Sequence, residues 1–60
     1  MYTVTVKVGD EVRVCKNFLR RVNAMKFVFD LEKVITPEGG SKVKIDVWHK
    51  GKTRYGVVKA

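Results

Sequence analysis

Small proteins are often stapled together by disulfides or metals, and this sequence has almost none of the residues that do so. Its one cysteine, Cys15, cannot close a disulfide within the chain, and one cysteine with one histidine falls short of a zinc ligand set. A lone thiol suits a reducing, cytoplasmic compartment better than an oxidising one. No apolar run approaches the ~20 residues that cross a bilayer. The alternating start, "MYTVTVKVGD", lacks the apolar block of a signal peptide. The chain is therefore expected to be a complete intracellular product that does not enter a membrane. Its one proline, Pro37, falls in the breaker cluster "TPEGGS", and no linker, repeat or low-complexity tract interrupts the rest. Acidic residues are scarce as well: six, against thirteen Lys and Arg.

What remains is a single small basic domain spanning residues 1–60. At this size a chain buries only about 60% of the surface its unfolded form exposes, which leaves no room for a deep substrate pocket and its supporting shell. The formal charge of +7 is an argument about partners rather than fold. Apolar residues make up 45% of the chain and run along its whole length, so it is expected to fold.

Residues 2–8, "YTVTVKV", alternate as a half-buried strand, with Tyr2, Val4, Val6 and Val8 on one face. "EVRVC" alternates again beyond Gly9-Asp10. A two-residue turn there would set Val6 opposite Arg13. A three-residue connection over Val8-Gly9-Asp10 pairs Val6 with Val12, Val4 with Val14 and Lys7 with Glu11, and is the expected hairpin. In "KNFLRRVNAM", Phe18, Leu19, Val22 and Met25 fall on one helical stripe, which predicts a short helix over 17–25 with Asn17 as its cap. "KFVFDLEKVI" returns to strand period, with Phe27, Phe29, Leu31 and Ile35 on one face and Val28, Asp30, Glu32 and Val34 on the other. A last hairpin joins "KVKIDVWH" to "TRYGVVK" by a three-residue loop, Lys50-Gly51-Lys52, pairing Val47 with Tyr55 and Ile45 with Val57. The expected fold is a β-rich α+β domain. It has a small antiparallel sheet of about five short strands and one short helix, with closure into an SH3-like barrel as a variant. In size, charge and N-terminal hairpin the chain resembles the small basic chromatin proteins built on such a barrel, with no signature run of residues that carries a site over.

Trp48, the only tryptophan, shares a strand face with Lys42, Lys44, Asp46 and Lys50, with Arg54 opposite. That setting suits base stacking beside phosphate-binding charge. It equally suits a core tryptophan covered by lysine stems, if the helical segment packs on that face. Lys42, Lys44, Lys50, Lys52 and Arg54, with Arg20 and Arg21 near the helical turn, form the rest of the candidate site. No group fits catalysis. Cys15 has no histidine near it in sequence, "PEGGS" lacks the ending of a phosphate-binding loop, and Asp30 with Glu32 has no pocket. His49 is read as a strand-end residue. Neither cofactor nor metal is expected.

The leading expectation is a non-enzymatic nucleic-acid-binding module of low sequence specificity, for DNA or RNA. Its basic C-terminal hairpin would contact phosphates while Trp48 stacks. The alternative is a small regulator or inhibitor, of the kind viruses or toxin–antitoxin pairs encode, that docks on an acidic partner protein. A homodimer that completes the undersized core fits either.

Overall fold

A computed structural model describes residues 1–34 and 41–59. The chain runs β1 (Tyr2–Val8), β2 (Glu11–Phe18), α1 (Arg21–Val34), β3 (Val43–His49) and β4 (Lys52–Lys59). All pairings are antiparallel, in the order β2-β1-β3-β4, and the helix lies across one face. The α+β class is as expected, but the described residues form four strands rather than five, and β2 and β4 are the two edges of an open sheet, not the seam of a barrel.

The fifth strand is the main correction. Residues 27–34, expected as strand, belong to a fourteen-residue helix, and the expected helix start at Asn17 lies inside β2. The segment satisfies both periods. Phe27, Phe29 and Leu31 alternate, while Ala24, Phe27, Val28 and Leu31 recur at helical spacing. The helical solution wins because one stripe then covers three strands: Ala24 and Val28 are fully buried on Val4, Val6, Val43, Ile45 and Val47. Asn17 does not cap a helix; its side-chain oxygen accepts the Thr3 hydroxyl at 2.7 Å across the β1–β2 pair. Phe18 ends β2 facing the helix and meets Phe27 at 5.2 Å between centroids. Ile35 and the expected turn at 36–40 lie outside the described residues.

Both hairpins close in the same way. Two-residue turns, Gly9-Asp10 and Lys50-Gly51, replace the expected three-residue loops. Gly9 has φ +61°, the first-position requirement of a type II′ turn, while Lys50 (φ 53°) and Gly51 (φ 74°) are both left-handed, as type I′ demands. A regular ladder from either turn would drive an arginine into the core. Each second strand avoids this with a bulge at its third residue. Arg13 is skipped so that Val6 meets Val14, and Arg54 so that Val47 meets Tyr55. The expected pairs Val47–Tyr55 and Ile45–Val57 are present; Val6–Val12, Val4–Val14 and Lys7–Glu11 are not, and the bulge sets Thr53 rather than Arg54 opposite Trp48.

Strand β4 is tied to the helix by side chains. The Tyr55 hydroxyl donates to the Glu32 carboxylate at 3.2 Å, and Lys59 donates to the Glu32 carbonyl. Partial burial, and then the carboxylate it faces, hold the Tyr55 phenol above its ordinary value of 10.0. The folded chain therefore keeps that proton more tightly than the unfolded one, and stability from this tie falls as pH rises past 10.0 through the raised value. Ile45 is the largest of the fully buried side chains among the described residues. Ile45→Ala should destabilise the domain by about 2–5 kcal/mol. Urea unfolding followed by Trp48 fluorescence measures it, and a loss below about 1 kcal/mol would contradict this core.

Candidate functional site

The helix covers one face of the sheet, and Trp48 stands on the other. Strand parity places three cross-strand rows on the open face: Asn17, Thr3, Trp48, Thr53; then Cys15, Thr5, Asp46, Gly56; then Val12, Lys7, Lys44, Val58. Trp48 is 40% exposed and Cys15 is a free, exposed thiol, so the core reading of Trp48 does not describe this fold. The face is not uniformly basic. Asp46 at its centre is 6% exposed, with Lys44 Nζ 3.9 Å from its carboxylate. Its Oδ1 lies 2.9 Å from where a Cβ on residue 56 would sit, so Gly56 leaves room for that carboxylate.

The direction of each strand sorts the candidate basic residues into two groups. Lys42 precedes β3, and its carbonyl accepts the Gly9 amide at 2.9 Å, which places it beside the β1–β2 turn. Lys44 is near the same end, roughly 13 Å along the strand from Trp48 at the usual strand rise. The molecule measures 34 Å along its greatest extent. Lys50, Lys52 and Arg54 belong to the opposite end, where β2 passes into the helix through Arg20 and Arg21. Trp48 is at that end too. Asp10 lies in the β1–β2 turn and Glu11 directly after it, and Asp30 and Glu32 in the later half of the helix. Among the described residues, the end bearing Trp48 carries no carboxylate.

One comparison shows how that imbalance arises. The two hairpins share a two-residue turn length and a bulge at the third residue of the second strand, so Arg13 and Arg54 occupy equivalent positions. Arg13 pairs with Glu11, the first residue after its turn, at 3.4 Å. The residue after the other turn is Lys52. Arg54 therefore has no carboxylate at the position that neutralises Arg13. It lines a cleft with Tyr2, Arg21 and His49 instead.

Two of those residues were not among the sequence candidates. Tyr2 and His49 are paired across β1 and β3 and stack at 4.0 Å with 11° between ring planes. The His49 Nδ1–H donates to the Met1 carbonyl at 3.1 Å, which fixes the ring. No sequence signal marks this pair, because only the β1–β3 register joins the ends of the chain. Lys16 lies over the Phe18 and Phe27 rings, at 5.6 and 5.3 Å, and so shields the edge of the core. No three His, Cys, Asp or Glu side chains among the described residues come together as a metal site. No helix among them is long and apolar enough to cross a membrane. No protein-family model, curated protein or solved structure matches the chain.

Lys50 is the one non-glycine residue among those described with a left-handed backbone. Lysine is poorly suited to that conformation, which asparagine and glycine tolerate. A strained residue at an exposed tip is where stability is commonly surrendered for function. Lys50→Asn should raise stability by roughly 0.5–1 kcal/mol in urea unfolding, since the turn keeps its shape with a better-suited residue. An unchanged or lowered stability would mean that the turn carries no strain.

Proposed function

We propose that the protein is a non-enzymatic nucleic-acid-binding module of low sequence specificity, which engages its ligand with the end that carries Trp48. The observation that supports this most is that the exposed Trp48 shares one end of the sheet with Arg20, Arg21, Lys50, Lys52 and Arg54, without a carboxylate among the described residues of that end. Phosphates are attracted there by charge alone, and each contact releases condensed counterions. Trp48 supplies a π-face on which any base stacks, and so adds affinity without reading sequence. Thr3, Asn17 and Thr53 continue its row across the open face and offer small polar groups to sugars and base edges. Lys42 and Lys44 stay outside this interface. An exposed free thiol at Cys15 fits a reducing, cytoplasmic setting.

A second reading, docking on an acidic protein, is favoured by one feature. Leu19 and Val22 are 80% and 68% exposed on either side of Arg20 and Arg21, and such side chains suit a protein surface better than a phosphate backbone.

Fluorescence titration with a single-stranded oligonucleotide at several salt concentrations separates the two. Nucleic-acid binding predicts quenching of Trp48 and a log K that falls linearly with log salt. Lys50→Gln and Lys52→Gln should each reduce that slope by about 1, whereas Lys42→Gln and Lys44→Gln should leave it nearly unchanged. Trp48→Ala should weaken binding by about 1–3 kcal/mol. Equal effects from all four lysines would return the interface to the whole final hairpin. An absence of quenching at low salt would shift the assignment to a protein partner.

A further inference from the structure

The cleft at the basic end differs from a charged surface in how it is built. β1, α1, β3 and β4 each contribute one side chain to it: Tyr2, Arg21, His49 and Arg54. Its volume of about 440 Å³ is far more than a bare phosphate fills and lies within the range of small-ligand sites, ~300–1,000 Å³. Among the described residues, two guanidiniums, an imidazole and a phenol line it, without a carboxylate. The guanidiniums select an anion, and their forks are suited to phosphate oxygens in particular. Arg21 opens the helix, whose first turn holds no acidic residue, so the positive end of the helix dipole adds to the same field. The Tyr2–His49 stack gives the cleft an aromatic wall. Since the Nδ1 proton is committed to the Met1 carbonyl, Nε2 is the ring nitrogen that remains to accept from a ligand, such as a sugar hydroxyl or a base N–H.

We propose that this cleft holds the terminal, phosphorylated nucleotide of a nucleic-acid strand, its phosphomonoester between Arg21 and Arg54 and its base or sugar against the Tyr2–His49 stack. The inference rests on the nucleic-acid reading above and deepens it. The charge of the cleft is what separates an end from the middle of a strand. An internal phosphodiester carries one negative charge, whereas a monoester carries about 1.5 to 2 at pH 7, as phosphorylated side chains do. Two guanidiniums with no carboxylate partner among the described residues match the second better. Location agrees with this, because the cleft lies at the tip of the domain, where a strand can end; Trp48 stands at the same tip on the opposite face of the sheet, so the following bases reach it only by passing around that end.

The test compares one short single-stranded oligonucleotide in three forms: with a 5′-phosphate, with a 3′-phosphate, and with hydroxyls at both ends. The resonances of His49, the only histidine, report on the cleft during titration with adenosine 5′-monophosphate and with adenosine. One phosphorylated form should bind roughly tenfold or more tightly than the hydroxyl form, the scale of an added charge-assisted contact. Adenosine 5′-monophosphate should move the His49 signals and adenosine should not. Arg54→Gln should abolish the ratio between the two ends, while Lys50→Gln should weaken all forms together and preserve it. Arg21→Gln repeats the test from the helix side, and Arg54→Lys supplies a second variant should Arg54→Gln disturb the bulge. Equal binding of all three forms, with Trp48 still quenched, would overturn the end-recognition inference and leave the nucleic-acid reading standing. Failure of every oligonucleotide to bind would overturn both.

Discussion

One layer of aliphatic side chains sets every register in this domain. Val4 and Val6 on β1 pair with Val47 and Ile45 on β3, and the helix closes over them with Ala24 and Val28. With so few buried residues, the domain cannot tolerate a strand of the wrong parity, since a shift of one residue turns a whole apolar set toward solvent. The turns are tight, and a tight turn alone gives the wrong parity in both hairpins. The bulges at Arg13 and Arg54 restore it. Each expels an arginine from the ladder on an edge strand, and a charge with a twist at an edge is also what keeps edge strands from pairing with other chains.

The same constraint generates the candidate site. A bulge placed to protect the core has to put its arginine somewhere. At one end Glu11 neutralises Arg13, and at the other Lys52 cannot neutralise Arg54. Packing and charge thus act in sequence: core parity requires the bulge, the bulge presents the guanidinium, and no carboxylate among the described residues takes it up. Arg21 and the Tyr2–His49 stack reach the same place because strand ends and the helix start converge there. A field of one sign at the tip of an elongated domain draws anions toward that tip before contact, which suits fast and weakly selective association.

The two faces of the sheet divide the labour. The covered face supplies nearly all the buried apolar area, while the open face carries threonines, Asn17, Trp48 and a shielded Asp46. Asp46 separates Lys44 from Trp48, so a row of lysines at strand spacing does not become one continuous basic stripe. Gly56, opposite Asp46, is the residue whose missing side chain makes this arrangement fit.

Much of this could be read from the residues in order. Alternation in 2–8 and 43–49 placed β1 and β3, matched apolar parity gave Val47–Tyr55 and Ile45–Val57, and the strand period set Trp48 apart from Val47. These features are local, because a strand shows its two faces in its own period. Residues 21–34 could not be decided in that way: Phe27 and Leu31 fit both periods, and only the need to cover three strands with one stripe selects the helix. The bulges were likewise beyond a pairwise reading, since they answer to the core rather than to the turn. Lys42 and Lys44 looked like neighbours of Trp48 because sequence proximity says nothing about which end of a strand a charge occupies. Tyr2 and His49, far apart along the chain, meet only through the β1–β3 register. Composition and period determined the kind of protein this is; the tertiary structure decided which charges share a site, because antiparallel pairing brings distant residues together and carries near ones apart.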